Sequence, residues 1–245
     1  MDRRMLIITN PGKPNAANYC AGVYDDAENY KEYFTSSAGG CWYDNEIKHL
    51  DCPSKSAVMD EVQMMQAQTD FCVVIFSGHG YSQYGVTYVE CCPGQNSTND
   101  ISEYELQLTG KRQLLILDCC RKPWYPVQDH IRKSSVCLDE SVYIKPNTRK
   151  EYEKLILNTP VSIEKLFSCS LGEVSNDQEG RGGAYSYTLL NEARLKYNDI
   201  ERNTYVTVPR IHNNAKKAME KIAPNQHPRI DKPRSEPYFP FVIKL

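Results

Sequence analysis

The chain has 245 residues, a formal net charge of -2 and 40% hydrophobic residues, enough to bury one large core or two modest ones. That balance excludes a protein built around nucleic acid or an anionic membrane surface. No run approaches the roughly 18 uninterrupted apolar residues of a spanning helix. The opening "MDRRMLIITNPGKP" passes from a short apolar run straight to turn residues, unlike a signal peptide, so a soluble, cytoplasmic chain is expected.

The first strand candidate is "MLIIT", Met5 to Thr9, followed by "YDDAENYKEYFTSS" with apolar residues at helical spacing. "IKHL", Ile47 to Leu50, is a second strand, and "SKSAVMDEVQMMQAQT" a second helix with Ser54 as N-cap. Then come "CVVIF", Cys72 to Phe76, and "LLILD", Leu114 to Asp118. Strands alternating with helices predict an α/β fold, a mostly parallel sheet covered on both faces, whose ligands bind beyond the carboxyl ends of the strands. From Lys122 to about Pro160 the pattern lapses into a loop or linker, with a short helix around "RKEYEKLIL". Order returns with a strand at Lys165 to Cys169, helices in "GGAYSYTLLNEARLKYN" and "YVTVPRIHNNAKKAMEKIA", and a final strand, Phe241 to Lys244, placed either at a sheet edge or under a loop.

Ten cysteines would make a disulfide framework in a secreted chain, but here Cys72 and Cys169 fall in apolar strand-like runs. Others are adjacent pairs, Cys91 with Cys92 and Cys119 with Cys120. There is no C-x-x-C and no zinc-ligand spacing, so mostly buried free thiols in a reducing compartment are expected.

Two reactive residue types meet at the predicted rim. In "FSGHGYSQYG" His79 stands between glycines just past one strand, and in "DCCRKP" two thiols stand just past the next. A thiol attacks as thiolate, and an imidazole that takes its proton can later protonate the leaving amine. The amide of Gly80, with that of the nucleophile itself, could hold an oxyanion. A G-H-G alone fits a solvated glycine turn as well; the neighbouring thiols give it chemistry.

These segments resemble the clan of caspases, metacaspases and paracaspases. They look most like the paracaspase and metacaspase branch, whose motifs are an aromatic-x-G-H-G after one strand and D-x-C after the next. "DCCRK" stands where the caspase signature has Q-A-C-R-G, its histidine about 50 residues upstream. The resemblance implies the caspase-hemoglobinase fold: a mostly parallel six-stranded sheet in one domain, 1-245, with a large-subunit-like part at 1-121, a linker at 122-160 and a small-subunit-like part at 161-245. It implies His79 as general base and Cys120 as nucleophile, with Gly80 and Cys120 as oxyanion donors. Cys119 is the competing thiol, although only Cys120 has an acid two positions before it.

Asp118, where caspases carry glutamine, would repel an acidic substrate residue and attract a basic one. The resemblance adds Asp25, with Asp26 as its neighbour, and Glu173. Three carboxylates around a guanidinium would make an arginine-selective pocket, helped by the lining region 161-183. Singly, Asp25 reads equally as a helix first-turn residue and Glu173 as a solvated loop residue. The implied function is a cysteine endopeptidase cutting after Arg, less readily Lys, in limited proteolysis for cell-death or defence signalling. Its partners would be a pore-forming or signalling protein as substrate and an activator or recruiting protein. The implied alternatives are a silent scaffold and a protease of non-basic specificity. Arg132-Lys133 and Arg149-Lys150 are candidate self-processing sites of a zymogen. No cofactor is expected, and calcium, which some metacaspases need, is not expected because there is no D-x-D-x-D-G loop.

Overall fold

Eight consecutive residues, Phe71–Gly78, are all buried, a pattern a strand shows only with neighbours on both sides and cover over both faces. The computed structural model describes residues 1-92, 99-123, 146-178 and 180-245. In chain order they form β1 (Arg3–Asn10), α1 (Gly22–Thr35), β2 (Ile47–Asp51), α2 (Lys55–Gln68), β3 (Phe71–Gly78), β4 (Gly80–Gln83), β5 (Val86–Val89), β6 (Ile101–Ser102) and β7 (Arg112–Cys119). There follow α3 (Pro146–Asn158), β8 (Ile163–Phe167), β9 (Asp177–Gln178), β10 (Gly182–Gly183), α4 (Ala184–Asp199), β11 (Thr204–Thr207), α5 (Val208–Ile222), β12 (Arg229–Asp231) and β13 (Pro240–Lys244).

Six strands make the main sheet in the order β12-β8-β7-β3-β1-β2. All its pairs are parallel except β12 with β8. The pleat sends alternate residues to opposite faces. Met5, Ile7, Val73, Ile75, Leu114 and Ile116 enter the larger core with residues of α1, α3, α4 and α5. Leu6, Ile8, Val74, Phe76, Leu115, Leu117 and Cys119 face the other way, onto Val58, Val62 and Met65 of α2. The six-stranded, helix-covered α/β sheet expected from the sequence is the architecture observed. Ser54 caps α2, its hydroxyl accepting from the Ala57 amide at 3.3 Å.

Three details refine the expectation. The final strand, β13, pairs with β11 in a separate ribbon, and Phe241, Val242 and Ile243 are buried, so it is no edge of the main sheet. That edge is β12. Within the region read as a linker, α3 realises the expected short helix, and residues 124-145, which include Arg132 and Lys133, lie outside the described ones. The cysteines are not all free: Cys52 and Cys92 form a disulfide, whereas Cys72, Cys91, Cys119 and Cys169 carry free, buried thiols. Two loops from different strands bring that pair together, which spacing along the chain does not reveal. Among the described residues no helix is long and apolar enough to cross a membrane.

Candidate active site

The parallel ladder between β3 and β7 sets the site. Gly78 is the register partner of Cys119, so His79 and Cys120 leave adjacent strands at the same level, at the carboxyl edge of the sheet. The two thiols separate by the pleat. Cys119 points into the core under the sheet, 1% exposed, where burial, then the neighbouring Cys169 and Cys120, push its thiol well above the usual range. Cys120 points the other way and is half-buried, its Sγ 3.8 Å from the Ser175 carbonyl. A buried, protonated Cys119 is chemically inert, which leaves Cys120 as the thiol presented at the rim.

His79 has its Nε2 3.2 Å from the Pro11 carbonyl oxygen and 3.7 Å from Cys20 Sγ. A neutral imidazole that donates from Nε2 to a carbonyl keeps the Nδ1 lone pair for a proton. Gly80 follows at the start of β4, against the Cys119 side chain. A Cβ there would lie 2.8 Å from Cys119 Sγ and 2.7 Å from the Tyr88 carbonyl oxygen, so only glycine brings this backbone so close to β7.

Beside Cys120 lies a pair of buried carboxylates. Asp118, at the end of β7, is 4% exposed, and Asp26, inside α1, is 1% exposed. Asp118 accepts from Ser175 Oγ at 2.5 Å and from Ser186 Oγ at 2.6 Å and its amide at 3.1 Å, and Tyr30 donates to that same Ser186 hydroxyl at 3.1 Å. Asp26 accepts from Ser77 Oγ at 2.5 Å and from the Gly183 amide at 2.9 Å. Gly183 and Ser186 belong to the start of α4, so a helix N-terminus adds its partial positive charge. Burial, then the charge of Asp118, raise the Asp26 carboxyl well above its usual range, with Asp177 adding to the effect. Among the described residues no lysine or arginine forms an ion pair with Asp26 or Asp118.

The structure therefore groups His79, Gly80, Cys120 and Asp118, and joins Asp26 to them. Asp25, one residue earlier on α1, turns elsewhere: its Oδ2 is buried without a hydrogen-bond partner among the described residues, and burial raises its carboxyl. Glu173 serves its own turn. It accepts from the Ser170 amide at 3.0 Å and the His227 amide at 2.8 Å, and its Oε1 lies 2.7 Å from His227 Nδ1. Burial alone would raise that carboxyl, but these donors outweigh it and hold it below the usual range. The acid that acts on Asp26 is instead Asp177, at the start of β9, whose carboxylate lies over the first residue of α1, 3.5 Å from where a Cβ on Gly22 would stand. Its only sequence signal was a second acid four residues on in a loop with no period. Choosing Asp26 over Asp25 needed the phase of α1, in which Ala27, Tyr30 and Phe34 share the buried face.

The chain is similar in fold to the crystal structure of caspase-1 from Spodoptera frugiperda, with a TM-score of 0.60 and 14% identity over 94% of this chain and 88% of that one. No curated protein sequence matches it. The family model for the caspase domain matches residues 2-239, nearly the whole length. A sheet that delivers a histidine and a cysteine from adjacent strand ends thus comes with the sequence profile of the same fold, and the chain belongs to the caspase-domain family of cysteine peptidases.

Proposed function

We propose that this chain is a cysteine endopeptidase that cleaves proteins after arginine, and less readily after lysine. The observation that carries this reading is the buried Asp26 and Asp118 pair beside Cys120, held by hydroxyls, amides and a helix N-terminus, with no described cation paired to it. Two carboxylates taken out of water are a standing cost unless a cation joins them. A planar guanidinium, with its forked donors, suits two carboxylates better than a point-charge ammonium does. An aspartate side chain entering the same pocket would meet only repulsion.

His79 takes the Cys120 proton as Sγ attacks the carbonyl carbon of the basic residue. The Gly80 and Cys120 amides hold the oxyanion, the C–N bond breaks, and His79 returns the proton to the leaving amine. Water then attacks the thioester, giving its proton to His79, and the cleaved acid leaves as the thiol reforms. A regulatory protein in cell-death or defence signalling, with a basic residue in an extended loop, is the substrate class this chemistry suits.

The test is hydrolysis of matched fluorogenic peptides ending in Arg, Lys, Asp or Asn by the wild type, Cys120→Ala and Cys119→Ala. Release after Arg, weaker after Lys, lost in Cys120→Ala and kept in Cys119→Ala is the expected pattern. Release after Asp would overturn the acidic pocket. No release by any form, with no labelling of Cys120 by a thiol-reactive probe, would point to a scaffold.

A further inference from the structure

Asn10 is the last residue of β1, 2% exposed, and it touches the base from several sides. Its carbonyl oxygen accepts from the His79 amide at 3.3 Å, and its Nδ2 donates at 2.7 Å to the Glu90 carbonyl, whose residue in turn donates its amide to the His79 carbonyl at 3.0 Å. Its Oδ1 accepts from the Gly12 amide at 3.1 Å, which fixes the turn carrying the Pro11 carbonyl. That carbonyl is the one on His79 Nε2. Gly12, at φ +86°, packs so near the ring that a Cβ would stand 2.7 Å from Nε2.

The Cys52–Cys92 disulfide lies against the same amide. The two sulfurs stand 4.0 and 3.6 Å from Asn10 Oδ1. The bond links the segment after β2 to the segment after β5 across a Cα separation of 5.3 Å, and both cysteines are partly exposed. Backbone hydrogen bonds hold its two ends to the rim: the Cys52 amide donates to Thr9, the residue before Asn10, at 2.8 Å, and the Cys92 amide to Pro53 at 2.9 Å. Cys52 stands at φ +45°, in the left-handed region.

We propose that Asn10 is a positioning residue for the His79 base and that the Cys52–Cys92 disulfide braces it, so that a thiol reductant loosens the base. The inference rests on His79 and Cys120 being the reacting pair. A dithiol attacks one sulfur, the S–S bond breaks through a mixed disulfide, and the second thiol of the reductant releases it. Cys52 and Cys92 gain two electrons and two protons, and the reductant leaves as a cyclic disulfide. The new S–H groups then face Asn10 Oδ1 as donors, in competition with the Gly12 amide, while the two segments lose their tether. The Pro11 carbonyl moves off Nε2 and the imidazole loses its orientation.

The experiment follows alkylation of Cys120 by iodoacetamide as a function of pH, read by peptide mass spectrometry so that Cys120 is distinguished from Cys20. The full chain is compared after treatment with oxidised glutathione, after reduction with a dithiol that is then removed, and as Cys52→Ser/Cys92→Ser. The oxidised form is expected to react about fivefold or more faster near neutral pH than the other two, the scale of an ordinary coupling between sites. Its profile should also extend to lower pH. Asn10→Ser, which draws the side chain off Gly12 and Glu90 without adding a charge, should show a similar loss and the same shift of the pH profile with the disulfide intact, which a purely structural role would not produce. Superimposable profiles for the three forms, or no cross-linked Cys52–Cys92 peptide after oxidation, would overturn the proposal. Redox-sensitive alkylation without cleavage after Arg sinks only the specificity reading, whereas cleavage after Arg that ignores the redox state sinks only this one.

Discussion

Asp26, which belongs to the proposed pocket, weakens the fold at neutral pH. Burial, then Asp118, raise its carboxyl well above the usual range, against the opposing donors from Ser77 and Gly183. In the unfolded chain the group ionises near its ordinary value, so its contribution to stability is present in acid and is lost as pH rises through the raised value. Asp26→Asn removes that loss and keeps the shape. We expect its melting temperature to exceed that of the wild type at neutral pH, by about 2–4 °C for each kcal/mol recovered. Hydrolysis after Arg should fall by about 30-fold or more in kcat/KM, the scale of removing one partner from a buried charge pair. A guanidinium favours the ionised carboxylate, so binding expels a proton, and KM for an Arg peptide should climb as the pH is lowered. A pH-independent KM in the wild type would show that Asp26 is not part of the pocket.

At the scale of elements, α3 weighs against one candidate processing site, Arg149-Lys150. A peptidase of this family needs its substrate extended across the cleft, and Arg149 and Lys150 lie within a 13-residue helix. Arg149 is further tied down, bonding Glu46 at 2.6 and 2.9 Å and Glu153 at 3.0 Å, with its guanidinium 3.9 Å over the Tyr43 ring. Arg149→Gln should leave any self-cleavage pattern unchanged, as N-terminal sequencing of the fragments would show, and cost about 1–3 kcal/mol of stability as a charged hydrogen-bonding group is lost. A new N-terminus at Lys150 or Glu151 in the wild type would contradict this. The same region shows which elements the sequence reveals. Short runs apolar on both faces, such as Val73 to Phe76, rich in β-branched residues, and Leu114 to Leu117, read as buried strands, and the rim follows from where they end. β12 is not legible in the sequence because its three residues, Arg229–Asp231, are too few to carry a period. The β4–β5 hairpin was missed because its turn, Tyr84 and Gly85 at φ +50° and +80°, lacks the Asn-Gly signal. The acids were half legible: Asp118 is fixed by its strand, whereas Asp26 and Asp177 become partners only once α1 and the loop after β8 are packed together.

Over the whole molecule, the buried acids make stability a function of pH, and Glu164 offers the clearest measure of it. It sits on β8, 1% exposed, its Oε1 accepting from the Phe239 amide at 2.8 Å and so tying the main sheet to the segment entering β13. Its Oε2 is buried without a hydrogen-bond partner among the described residues. Burial pushes the carboxyl up to about 7, only partly offset by the Phe239 amide and Lys232. Glu90 is pushed up to about 7 as well, by burial and then Asp100. Both raised groups favour the folded state in acid, and that contribution drains away as pH climbs from the ordinary carboxylate range to about 7. Glu46 and Glu173 run the other way. Burial would raise them, but Arg149 with the Tyr43 amide for the first, and His227 with the Ser170 amide for the second, hold them low, so their contribution is lost as pH falls through the lowered values. The two trends together place maximal stability on the mildly acidic side of neutrality. Glu164→Gln keeps an oxygen for the Phe239 amide and removes the ionisation, so it should recover on the order of 3 kcal/mol above pH 7 and nothing in acid. Chemical denaturation of both proteins across that range checks it. An equal gain at both ends would assign the effect to packing, and no gain at either end would mean that Glu164 ionises in the folded chain without penalty.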